Sequence, residues 1–318
     1  GEGHHGRRAC ARARLFDQPI PRHHCTRHGR GGGLLKGFVA ALKAELYVTL
    51  RSTSARLVLF LPALIVTMRA IVVKLSETGQ EARDALLGQG DTASSSSNAW
   101  GPLVDSFSTG LTLLSLSLVA YAAWTFANDR DTGALRHVLI RRVSRMGLVM
   151  AKLLTVFLLA LATLGLMSAA IGIITAILWD FGPVVEDGYE LISSAEIRTE
   201  VALGLRLAII PLPAALAFGV LVSVLAQSAT QAVTSALGIT LAMDVFKGVL
   251  GERAYYLYAS FQPSLIDQSY LQDVSRLVRG YSDVMIDNRV LQLNEWVPIP
   301  EAILFIVLAL VLVRRKTL

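Results

Sequence analysis

With 318 residues, 53% of them apolar and only 17% charged, the chain is too hydrophobic for an ordinary soluble domain. A formal net charge of +6 would point a soluble protein toward nucleic acid, but a mean hydropathy of +0.52 points to lipid, where the placement of charge matters more than its sum. That argues against a nucleic-acid binder, and two cysteines (Cys10 and Cys25) are too few for a disulfide scaffold.

Residues 1–33 are rich in Arg, His and Gly and read as a disordered leader or an added tail. His23, His24, Cys25 and His28 are of metal-ligating types, but the tract has too few apolar residues to fold around a closed four-ligand site, so no metal is expected. Over residues 34–50, Leu35, Phe38, Val39, Leu42 and Leu46 recur at helical spacing while Lys36, Lys43 and Glu45 avoid that stripe. This predicts an amphipathic interfacial helix lying along the membrane.

Six apolar runs follow, each long enough to cross a hydrocarbon core of roughly 30 Å. They are 57–73, 103–127, 148–179, 201–226, 229–249 and 297–313, predicted as helices because every backbone amide in lipid must be bonded within its own segment. Lys and Arg concentrate before the first run, between Arg130 and Lys152, and at Arg314, Arg315 and Lys316, whereas the first two intervening loops on the other side are acidic. The positive-inside rule then makes both termini cytoplasmic. The expected fold class is an all-α integral membrane protein in the cell inner (cytoplasmic) membrane, with a transmembrane domain over 34–318. Pro211 and Pro213 predict a kink in the fourth span. Gly165, Ala169 and Gly172 offer small surfaces for helix packing in the third. The segment 251–296 is expected to hold one or two short helices at the outer mouth.

No GxxxxGK[ST] phosphate loop, HExxH or GxSxG motif occurs, so the chain is not expected to be an enzyme or to hold a cofactor. Its most informative stretch is Asn128 to Leu154, "NDRDTGALRHVLIRRVSRMGLVMAKLL". Leu135, Val138, Leu139, Val143 and Met146 fall along one side of a helix, and Arg141, Arg142 and Arg145 lie largely on another. Asp129, Asp131 and Thr132 precede it, where negative charge and a capping oxygen favour a helix N-terminus.

In order and spacing, "DRDTGALRHVLIRRVSR" followed by Lys152 resembles the intracellular segment of type-2 ABC (ABC-2) export permeases. Asp129, Arg130 and Asp131 match that family's acidic-Arg-acidic triplet, Gly133 and Leu135 its middle, and Val143, Ser144 and Arg145 its turn. Lys152 matches the lysine that enters the next span. Arg142 stands where proline is usual. Ala41–Leu64 and the polar break "AQSATQA" at 226–232 resemble the family as well.

The resemblance implies a permease that forms a dimer, most simply a homodimer, and is driven by a separate cytoplasmic ATPase carrying ATP and Mg. It also implies that the helix from about Gly133 to Met146 docks into that ATPase. Independently, charged residues at membrane depth are functional candidates. Arg69, Asp105, Arg206, Asp244 and Lys247 all fall in the outer third, which predicts a polar cluster at the outer mouth, with Asp244 and Lys247 paired one turn apart. Two other classes remain: an ion-gradient-driven secondary transporter, which would use buried carboxylates, and a membrane scaffold recruiting partners through the arginine-rich loop.

Overall fold

Six helical stretches long and apolar enough to cross a membrane dominate the computed structural model, which describes residues 30–87, 98–133, 145–186, 189–265, 269–280 and 288–315. The leader before residue 30 lies outside the described residues, as do residues 88–97 and most of the arginine-rich loop. Helix α1 (Arg30–Arg51) precedes α2 (Thr53–Leu86), α3 (Trp100–Asp131) and α4 (Arg145–Leu178). A small antiparallel hairpin, β1 (Val184–Glu186) and β2 (Tyr189–Ile192), leads into α5 (Ser194–Ile209) and α6 (Leu212–Leu225). Then come α7 (Ala229–Leu250), two 3-10 turns, α8 (Tyr270–Val278), α9 (Asn288–Trp296) and α10 (Pro298–Arg315).

Sequence periodicity explains which faces are inside. On α2, Ala55, Val58, Pro62, Val66 and Ala70 recur every three or four residues and are buried, while Leu57, Phe60, Leu64, Met68 and Val72 are exposed. A continuous stripe of exposed large apolar side chains on a helix of spanning length suits hydrocarbon, so this outer face is assigned to lipid. The bundle has a centre and a rim. The α5–α6 stretch has 83% of its most apolar window buried and α3 has 67%, against 22–28% for α2, α4, α7 and α10. Helix α3 packs on α2, α4, α6, α7 and α8, and α6 also packs on α10.

Small residues permit the closest of these approaches. Gly219 of α6 sits against α3, where an added Cβ would lie 2.8 Å from Ala122 Cβ and 2.9 Å from the Val119 carbonyl oxygen. Alanines at 123, 127, 214, 215, 232 and 236 extend that seam into α7. The expected packing stripe at Gly165, Ala169 and Gly172 is corrected: Ala169 is exposed, and a Cβ added at Gly165 or Gly172 would meet no atom within 4 Å. Helix α4 makes its close approach to α3 elsewhere, with Met167 against Gly110.

The fourth span is two helices rather than one. It breaks at Ile210–Pro211, because Pro211 and Pro213 supply no backbone donor for the turn before them. Both polar breaks are capped. Ser193 accepts from the Glu196 amide at the start of α5, and Ser228 from the Gln231 amide at the start of α7, each three residues ahead of a Glu or Gln. The expected all-α architecture gains one element, the β hairpin.

Candidate functional site

The end of α3 gathers four other elements through three consecutive residues. Asp129 Oδ2 lies 2.5 Å from Lys152 Nζ on α4, and the same ammonium is 3.0 Å from Glu45 Oε2 on α1. The Arg130 guanidinium donates to the Ala226 carbonyl at the end of α6. Asp131 Oδ2 accepts from the Ala229 amide at 2.7 Å, at the start of α7. Deeper along the same seam the Ser223 hydroxyl accepts from the Ala127 amide at 3.0 Å. One turn of α3 is therefore bonded to α1, α4 and both sides of the α6–α7 break.

Lys152 is 4% exposed, so its ammonium is sustained only by the two carboxylates beside it. The Glu45 carboxyl is pushed above the ordinary carboxylate range by burial, and Lys152 opposes that shift. Thr49, one turn beyond Glu45, is buried on the same side of α1. The inward side of α1 thus reads Ala41, Glu45 and Thr49, while Val39, Leu46 and Leu50 are exposed. Helix α3 ends at Gly133, whose φ of +71° is a left-handed conformation that favours glycine.

Of the residues assigned to the coupling element, Asp129, Asp131 and Lys152 therefore meet in this node and Gly133 ends the helix that carries it. Arg145 opens α4, and Leu135, Arg141, Arg142 and Ser144 lie outside the described residues. Glu45 was missed as a site residue. Its signal was a lone acid among the lysines of an otherwise basic amphipathic segment.

At the opposite end of the bundle the expected polar cluster divides. Asp105 accepts from the Ser275 hydroxyl at 2.5 Å and pairs with Arg279, which follows α8. Arg69 and Asp105 line one cavity of about 480 Å³. Asp244 and Lys247 pair at 2.8 Å, and Lys247 donates to the Ser264 hydroxyl at 2.6 Å. Arg206 instead pairs with Glu295 on α9, with both side chains well exposed. The five do not form one cluster, because α8 and α9 bring in partners of their own.

Among known proteins, the family model described as ABC-2 family transporter protein matches residues 39–313. Neither a curated protein nor a solved structure matches the chain.

Proposed function

This chain belongs to the ABC-2 transporter family and is a multi-pass membrane permease, and from that premise we propose that it is the transmembrane subunit of an ABC exporter. In this reading two copies form a homodimer in the inner membrane, with both termini cytoplasmic, and alternate access to the substrate is driven by a separate ATPase that binds ATP and Mg. The segment from Gly133 to Met146 docks on that ATPase, its arginines pairing with carboxylates of the partner.

The observation that carries the proposal is the node at the end of α3. A push on the segment following Gly133 reaches α3 directly, and the bonds of Asp129, Arg130 and Asp131 pass it to α1, α4 and the α6–α7 break. Such a turn turns displacement of one loop into movement of several helices, as coupling requires. Against the gradient-driven alternative, the buried Asp244 is already paired with Lys247.

The test is to tag the C-terminus, extract the protein from its native membrane in mild detergent, and identify what co-purifies in stoichiometric amount. A phosphate-loop ATPase is the expected result, lost when Arg141, Arg142 and Arg145 are all replaced by Glu. A bare permease, under conditions that preserve another ABC complex, would overturn the reading.

A further inference from the structure

The cavity at the end of the bundle away from the node lies between α2, the start of α3, the β hairpin and the end of α8. Its wall is held in place by long-range bonds. The Asn98 side-chain amide donates to the Gly182 carbonyl at 2.7 Å, and the Ala99 amide to the Asp180 carbonyl at 3.1 Å. Trp179 Nε1 donates to Glu77 Oε2 at 2.8 Å, and the same indole lies under the Lys74 ammonium at 5.4 Å. These contacts leave a preformed hollow of about 480 Å³, within the range of small-ligand sites.

Charge accounting singles out one group. Asp105 is neutralised by Arg279, and Glu77 faces Lys74 at 3.9 Å. Arg69 also lines the cavity, half-buried on α2, and has no hydrogen-bond or ion-pair partner among the described residues. An uncompensated guanidinium at this depth is costly, and it presents a planar fork that matches phosphate oxygens bidentately. Apolar surface continues beside it, because Met68 and Val72 are exposed on the same helix.

We propose that this cavity binds the phosphate of an anionic amphiphile, with Arg69 as the principal ligand and Trp179 and Val73 contacting the apolar part below the headgroup. The site needs no ATPase, so it stands or fails separately from the exporter reading.

The test uses full-length protein in phosphatidylcholine nanodiscs, titrated calorimetrically with dihexanoyl-phosphatidylglycerol after subtraction of empty discs. Saturable binding is expected, with no comparable signal from dihexanoyl-phosphatidylcholine. Arg69→Gln should weaken it at least about tenfold, the loss of one charge-assisted bidentate contact. Arg69→Lys should fall between the two, and Arg83→Gln, an exposed arginine outside the cavity, should bind like wild type. Saturation by inorganic phosphate with the same dependence on Arg69 would support a free anion as the ligand; a requirement for the acyl chains would support a lipid headgroup. Absence of saturable binding to both probes, equal binding of the zwitterionic lipid, or undiminished binding by a folded Arg69→Gln protein would overturn the proposal. If Arg69→Gln does not fold, the headgroup selectivity of the wild type decides.

Discussion

The two ends of the bundle use most of their charges differently. At the node, Lys152 is enclosed by Glu45 and Asp129, and the neighbouring Arg130 and Asp131 are spent on backbone groups of α6 and α7. At the other end the pairs Asp105–Arg279 and Arg206–Glu295 are more exposed, only Asp244–Lys247 is as enclosed as the node, and Arg69 faces a cavity with no partner among the described residues. Buried, mutually satisfied charges tie elements together and punish the removal of any one member. A charge left over beside a hollow is available to something that is not part of the chain.

That contrast breaks most sharply at Lys152. Lys152→Met should leave Glu45 and Asp129 partly buried without a counter-ion and lower stability by about 3 kcal/mol, seen as a large fall in the midpoint of thermal unfolding in detergent and in membrane accumulation. A midpoint within error of wild type would mean that the node is hydrated and does not bind α1 to α3 and α4. Next in size, Asp131→Ala removes the acceptor for the Ala229 amide and should cost about 1 kcal/mol. It should also raise hydrogen exchange at the start of α7, and unchanged exchange there would detach Asp131 from the α6–α7 break.

At the far end the expected losses shrink. Asp105→Asn removes the counter-ion of Arg279, whose side chain is 54% exposed, so stability should fall by less than about 1 kcal/mol. The same change places a second unpaired guanidinium in the cavity, and dihexanoyl-phosphatidylglycerol should bind several-fold tighter to the nanodisc-embedded protein. Weaker binding would mean that Asp105 holds Arg279 where the ligand needs it. Arg206→Ala is the smallest: its pair with Glu295 is 66% and 46% exposed, and the unfolding midpoint should move by the equivalent of about 0.5 kcal/mol or less. A larger fall would show that this pair holds α9 to α5.

Much of the fold was legible because lipid imposes a local rule. A run such as 148–179 is helical and spanning whatever surrounds it, since its backbone has no other hydrogen-bond partner in hydrocarbon. The break at Pro211 and the caps at Ser193 and Ser228 are equally local. The β hairpin left a fainter trace, Asp187–Gly188 between two short strand-forming runs, a pattern easily read as one acidic loop.

What local reading determined, then, is the helices and the triplet Asp129, Arg130 and Asp131 as a place of interest. The local pair Asp244–Lys247 was legible too, whereas the tertiary structure alone decided which charges pair between elements. Glu45 reaches Lys152 across 107 residues and Arg279 reaches Asp105 across 174, distances over which helical periodicity carries no information. The same holds for the small residues: Gly165 and Gly219 look alike in the sequence, but only Gly219 has another helix against its backbone. Propensity and hydropathy act within a segment, whereas pairing, close approach and the emptiness beside Arg69 depend on where separate segments come to rest.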